Sequence, residues 1–505
     1  MLKKILLALS TGIILALSLP PFKSGFLALG ALIPFFLLLE DKSFGEAFRW
    51  GYAVGLSIDI FCLYWIGWVT VPGMLGAFLI LPLFTALYAV IHVLLIRTFH
   101  ANAYLLFPFV WTTIEYLQSL GETAFPWVYL GYTQSYYQSL IQYVDITSVY
   151  GVSFWIVLIN VLIYAGIKRF QPRLTIAAMT AFVFLVPLGH GIMTLNHRSM
   201  PSETIKVGLI QGNIDPFEKW NRQREEIHFA IYDSLTQEAF KQDPDLMIWP
   251  ETATSSYLRY DYNFIKRIRT WVDSTGVPLI TGSVDFEHLE SGYEYYNAAL
   301  LFEPDEYEIQ HYRKNKLVPF SERVPYKHYF PFNVLKNLLY DMKLGIGDYA
   351  RGGDYSLLNA TSYGDSISVA VPICYESVFP DYVSNQVHQG SNLIAIITND
   401  AWFGRTSAPY QHAQIAVFRA IENRKSIARA ANTGISCFID PYGFVSGSTP
   451  IFTTTQLVHE IGLYEGQTFY TRYGNVFALI CLVFTLGFVL FALYILLFGK
   501  RKTGT

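Results

Sequence analysis

The apolar positions of this chain come in two textures. Up to about Ile192 they form long unbroken runs, at residues 5–19, 26–39, 51–71, 74–96, 104–114, 149–167 and 174–192, and another covers 477–498. A helix needs about 20 apolar residues to cross the hydrocarbon core of a bilayer. The runs therefore predict a membrane α-helical bundle of about eight spans, with 26–39 and 104–114 the short ones. The first run follows Lys3 and Lys4 in the manner of a secretory signal. The sequence after it, "LSLPPFKSG", has no small-x-small cleavage pattern, and the run is read as a span.

From about Thr204 to Gly466 the runs become short and are bounded by turn residues: "IKVGLIQGN", "PDLMIWPET", "VPLITGSVDF", "YNAALLF", "ISVAVPICYE", "NLIAIITNDAW" and "TGISCFIDPYG". Short runs rich in Val and Ile read as buried strands. Helical spacing recurs at 222–241, 262–273 and 409–430. Strands that are apolar throughout, without alternation, predict sheets covered by helices. Residues 311–351 carry many aromatics and no regular pattern, so they read as a long functional loop. The expected organisation is a bundle of about seven helices over 1–195, an α/β domain over 204–466 and a last span over 475–499.

Composition sharpens this picture. The 505 residues are 52% hydrophobic and only 15% charged, against roughly 25% charged in ordinary soluble domains. A net charge of -3 without clustered Lys and Arg argues against a nucleic-acid partner. Four cysteines do not make a disulfide framework. Basic residues in short loops set orientation. Lys3, Lys4, Lys42, Arg49, Arg97, Lys168, Arg169, Arg173, Lys500, Arg501 and Lys502 fall on one side, whereas residues 118–148 contain no Lys or Arg. Both ends are thus expected in the cytoplasm and the polar domain on the outer side.

Ligands of such sheet folds collect beyond the carboxyl ends of strands, where three reactive side chains belong. These are Glu251 after "DLMIWP", Lys314 downstream of "NAALLF" and Cys374 after "ISVAVPI". A thiol is mostly protonated at neutral pH and attacks as the thiolate. Glu251, beside Trp249 and Pro250, is expected in apolar surroundings that raise its pKa and suit it to take the thiol proton. Lys314 would stabilise the thiolate and then an oxyanion, with the amide N–H of Tyr375 as a second donor. No spacing resembles a metal site, and no metal or other cofactor is expected.

"WPET", "YRKNKLVPFSE" and "PICYES" resemble the Glu-Lys-Cys signatures of the nitrilase superfamily, and "TNDAWFG", "RAIENRKSIARAANTG" and "DPYG" extend the likeness. With the spans, "FPWVYLGYTQ" and "TFYTRYGN", the whole chain resembles the apolipoprotein N-acyltransferases, the membrane-embedded branch of that superfamily. The resemblance implies an αββα nitrilase-like domain facing the periplasm of a bacterial inner membrane. It implies Glu251 as base, Lys314 as oxyanion stabiliser and Cys374 as nucleophile, supported by Glu322, Tyr375 and Glu376. Trp220 in "GNIDPFEKW" matches a tryptophan on a loop near lipid access. The partners implied are a phospholipid acyl donor, a diacylglyceryl apolipoprotein acceptor and the bilayer itself. The sequence departs from the family where Ser321 in "PFSE" stands for a usual glycine.

Other readings stay open at this stage. The stretch from Val324 to Gly347, with Phe330 and Phe332, mixes aromatics, leucines and lysines as an interfacial lid would, or simply packs. Lys316 shares a strand face with Lys314. Cys437 reads as core, although a Cys374–Cys437 disulfide is conceivable in an oxidising compartment. His412 reads as a helix-surface residue, and Asp59 and Glu115, within or beside apolar runs, are unassigned. Two rival functions are a membrane-tethered amidase that passes its acyl group to water and a transporter with an external domain. The second would call for matched broken helices with midplane charges, a pattern not seen in this sequence.

Overall fold

The protein is described by a computed structural model covering residues 1–219, 221–290, 292–341, 347–362 and 365–498. It divides into two compact units, one holding Met1–Gly67, Val71–Arg198 and the chain from Asn475 on, the other Trp68–Thr70 with Ser199–Gly474.

The first unit is helical. Its principal α-helices are Leu2–Ser18, Ile33–Leu39, Phe44–Leu63, Val71–Phe99, Phe107–Gln118, Val144–Lys168, Arg173–Asn196 and Val476–Phe498. Ser43 and Glu46 form a reciprocal capping box that starts Phe44–Leu63. That helix then lies close against Val71–Phe99 because its contact face is small. A Cβ on Gly51 would sit 2.6 Å from that of Ala89, and one on Gly55 2.7 Å from Cα of Pro82. Small residues at such contacts are how helices pack where water gives no hydrophobic drive.

Among the described residues, four stretches are long and apolar enough to cross a membrane: Val71–Gln118, Val144–Lys168, Arg173–Asn196 and Val476–Phe498. They include the apolar runs from 74 onward. Leu2–Ser18 is shorter, at 17 residues, and Phe44–Leu63 carries Glu46, Arg49 and Asp59. Glu115 is buried with its Oε1 accepting from Trp111 Nε1 and Leu130 N, so it serves as a clamp between the helix Phe107–Gln118 and the turn after it.

The second unit contains two six-stranded sheets. In chain order the strands are β1 (Glu203–Gln211), β2 (Leu246–Ile248), β3 (Leu279–Leu289), β4 (Gly292–Phe302), β5 (Gln310–Arg313), β6 (Leu358–Ser362), β7 (Asp365–Ala370), β8 (Leu393–Thr398), β9 (Ser426–Ala431), β10 (Cys437–Ile439), β11 (Val445–Ser448) and β12 (Thr455–Leu463). One sheet has the order β12-β1-β2-β3-β4-β5 and the other β11-β10-β9-β8-β7-β6. Each has a parallel centre, β1-β2-β3 and β7-β8-β9, flanked by antiparallel strands. Val207, Leu209, Ile248 and Ile280 of the first pack with Val369, Ile397, Ala428 and Phe438 of the second in one core. The first sheet's other face, through Ile210, Met247 and Leu300, meets Phe229, Tyr232, Phe264 and Ile268 of the helices Glu225–Phe240 and Tyr262–Thr275. Helices Pro380–His388 and Ala408–Asn423 belong to the second half. The order is helix, sheet, sheet, helix, which is why the strands are apolar on both faces.

Two expectations are corrected here. The helix expected over 409–430 ends at Asn423, where Arg424 turns left-handed at φ 49°, and Ser426–Ala431 is a strand buried along its whole length. Alanine favours helix, but the central slot of a sheet overrides that preference. The expected loop over 311–351 begins inside β5 and carries a helix at Phe332–Asp341.

Candidate active site

Glu251 follows β2 and Lys314 follows β5 in the first sheet, whereas Cys374 opens a short helical turn, Cys374–Val378, after β7 in the second. Tight backbone geometry seats the glutamate. A Cβ on Gly282 of β3 would lie 2.5 Å from Cα of Glu251, so only glycine lets the strand run this close.

Glu251 is buried, but its surroundings are polar rather than apolar as expected. Its Oε1 accepts from Asn297 Nδ2 at 2.7 Å and from Lys314 Nζ at 3.3 Å, and its Oε2 from the amide of Asn399 at 2.8 Å. Lys314 Nζ also donates to Glu322 Oε1 at 2.8 Å. Asn297 Nδ2 reaches the same oxygen at 3.1 Å, while Val318 N holds Oε2 of Glu322 at 2.8 Å. Lys314 is 1% exposed. Burial works against its charge, yet the carboxylates of Glu322 and Glu251 outweigh it and hold the ammonium well above the ordinary lysine range. Lys316 points elsewhere, its Nζ 4.9 Å above the ring of Phe379.

Cys374 sits at φ 49°, a left-handed backbone that costs a side-chain-bearing residue about 1–2 kcal/mol. Burial pushes its thiol up, the Glu251 carboxylate pushes it further and the Lys314 ammonium pulls it back. The resting group is therefore a thiol that must lose its proton as it attacks. Cys374 and Cys437 are both free thiols, and Cys437 is buried in β10.

Glu376 is fully buried and ties the two halves together. It accepts from the amides of Asn315 and Lys316, next to Lys314, and from the amide of Ile373, just before Cys374. Tyr312 Oη donates to both of its oxygens. Tyr375 is buried with its ring edge-on to Phe379 at 5.1 Å. Phe330 is 81% exposed, and Phe332 sets its ring 5.6 Å from Tyr326. Trp220 lies outside the described residues. Among these residues no group of three or more His, Cys, Asp or Glu converges as metal ligands.

Sequence reasoning missed several members. Asn297 bridges the two glutamates, and Asn399 reaches Asn432, which clamps the loop after β1 through Ile214. Amides inside apolar strands, "YNAALLF" and "ITND", were the available signal. Lys219 is buried, its Nζ meeting no hydrogen-bond acceptor among the described residues. Burial pushes its ammonium down to about 7 against the pull of Glu251. His412 is not on a helix surface: it is 1% exposed, because its ring is held between Asp400 and Ser377.

Residues 11–162 match the family model of the apolipoprotein N-acyltransferase N-terminal domain, and 206–469 that of the carbon-nitrogen hydrolases. An apolipoprotein N-acyltransferase of Geobacter metallireducens is 38% identical over 94% of this chain and 92% of its own length. That of Chlorobaculum tepidum is 34% identical over 95% of each. The chain belongs to the apolipoprotein N-acyltransferase family. A crystal structure of an amidase from Nesterenkonia sp. is similar over 55% of this chain and 94% of its own, at 18% identity and a TM-score of 0.37. Like the family, the chain is an acyltransferase with a nitrilase-type α/β domain and an apolar helical region that makes it a membrane protein. The amidase reading is not favoured.

Proposed function

We propose that this N-acyltransferase moves an acyl chain from a phospholipid to the α-amine of a diacylglyceryl cysteine at the N-terminus of an apolipoprotein, through a thioester on Cys374. The observation that carries this is the pairing of Glu251 with Lys314, both acting on the thiol of a residue held in a left-handed turn. Cys374 Sγ attacks the ester carbonyl while Glu251 takes the thiol proton. Lys314 and the amide of Tyr375 stabilise the oxyanion. The carbon–oxygen bond breaks, and Glu251 returns the proton to the departing lysophospholipid. The acceptor amine then attacks the thioester, Glu251 takes its proton, the carbon–sulfur bond breaks and the thiol is restored. Splitting one slow transfer into two easier steps is what covalent catalysis provides.

Glu322 and Asn297 orient Lys314 and Glu251, and Glu376 fixes the cation relative to the nucleophile. An acyl chain gains about 0.8 kcal/mol per methylene buried in lipid, so both substrates stay at the bilayer. Residues 1–195 and 475–499 lie in a bacterial inner membrane in about eight spans. The domain over 204–466 faces the periplasm, and both termini are cytoplasmic. Trp220, Phe330 and Phe332 contact lipid, a reading that the exposure of Tyr329, Phe330 and Val334 supports. No metal, cofactor or nucleic acid takes part.

The test is to give purified protein a phospholipid labelled in its acyl chain without acceptor. Label should accumulate on Cys374 and leave with hydroxylamine, and Cys374→Ala should hold none. When apolipoprotein is then added, release of free fatty acid in place of triacylated product would return the reading to transfer onto water.

A further inference from the structure

The mechanism leaves one buried cluster unused. Asp400, after β8, accepts from His412 Nδ1 at 2.9 Å and from Thr398 Oγ1 at 3.0 Å through Oδ1, and from Arg429 of β9 at 2.8 Å through Oδ2. His412 Nε2 lies 2.9 Å from Ser377 Oγ and 3.2 Å from the carbonyl oxygen of Cys374, to which Ser377 Oγ donates at 2.7 Å. Ser377, Asp400, His412 and Arg429 are all 1% exposed or less. The cluster is built for close approach, since a Cβ on Gly434 would lie 2.1 Å from Oδ2 of Asp400.

We propose that His412 is a positioning residue for acyl transfer: with Ser377 it grips the carbonyl of Cys374 and so holds the left-handed backbone that presents the thiol. The inference rests on Cys374 being the nucleophile. A carboxylate and a carbonyl can only accept, and Ser377 has one proton, given to the carbonyl. The ring thus bridges the Asp400 carboxylate and the Ser377–Cys374 turn. The groups facing the ring include Asp400, Ser377, the Cys374 carbonyl and, at 6.2 Å, the ring of Phe403. Those acting on the thiol are Glu251, Lys314, Asp400 and Thr398.

Ser377→Ala, His412→Gln and His412→Ala are compared in the full-length protein, with Cys374→Ala as control. Gln keeps a donor toward the carbonyl; Ala keeps none. A misplacement of the reacting group costs about a hundredfold in rate. His412→Ala should lose about that in kcat, with KM for phospholipid within about twofold, and His412→Gln should recover a large part of it. The proposal is overturned if kcat stays near wild type in His412→Gln and Ser377→Ala, or if Gln does no better than Ala in equally folded protein. Where His412→Ala fails to fold, the other two variants decide: both must lower kcat without moving KM. Turnover by Cys374→Ala would instead overturn the nucleophile itself, whereas a dead Cys374→Ala beside unimpaired His412 variants rejects only the positioning role.

Discussion

Replacing Lys314 by methionine keeps much of its volume and removes the ammonium from between two carboxylates. At 2.8 Å from Glu322 and 3.3 Å from Glu251, the two attractions amount to about 6 and 5 kcal/mol at an effective dielectric of about 20. Desolvation of the buried groups offsets most of this, and removing one partner of a buried pair typically costs about 3–5 kcal/mol. The variant should lose about that much stability at pH 8. Its two carboxylates, left facing the same Asn297 amide, would then share a proton with a raised apparent pKa. A group whose folded pKa is raised stabilises the fold below that pKa and loses the effect as pH rises. The deficit should therefore shrink between pH 8 and pH 5. In the wild type, the lysine's own raised pKa makes its contribution present throughout this range, with loss only at strongly alkaline pH. Loss of the oxyanion donor should lower kcat by about 10²–10³-fold. Thermal melts in detergent at pH 5 and 8, with acyl-transfer rates, measure both. A stability deficit that does not shrink toward pH 5 would refute the shared-proton argument, and near wild-type turnover would refute the oxyanion role.

Glu251→Gln should cut turnover about 10²–10⁴-fold while moving the pH midpoint for alkylation of Cys374 by iodoacetamide downward, since the carboxylate holds the thiol up; an upward move would contradict the electrostatics. Lys219→Met should raise the melting temperature most at or below pH 7. The benefit should fade toward pH 10 by up to about 1.4 kcal/mol per pH unit, because a lysine pushed down to about 7 weakens the fold wherever the unfolded chain is still protonated. Glu376→Ala leaves three backbone donors without an acceptor, each costing about 1–3 kcal/mol. It should melt well below Glu376→Gln in the same scan. Phe330→Ser should slow transfer from phospholipid while sparing a small soluble thioester, and equal losses on both would remove Phe330 from lipid contact.

The central strands were legible because burial on both faces makes each a continuous apolar run. The strands that escaped notice lack that mark. β12, "TQLVHEIGL", is half-exposed at one edge of its sheet, and β9, "SIARAA", reads as helix until its neighbours are known. Glu251, Lys314 and Cys374 stood out because each follows a recognisable run or motif. Asn297, Asn399 and His412 did not, since an amide or imidazole owes its role to partners far away in sequence, such as Glu322 or Cys374. Glu376 was placed near the nucleophile, but nothing local indicated that it grips the lysine's own loop.

β1 pairs with β12 along its full length, from Glu203 opposite Leu463 to Gln211 opposite Thr455. During synthesis the first strand of this domain must wait, one edge bare, for the last strand to arrive. By then only a short connection remains before the helix Val476–Phe498. That edge is covered only once the last strand has been made, so a chain cut short before Thr455 would carry every residue of the acyl-transfer machinery and still leave it open to wrong partners.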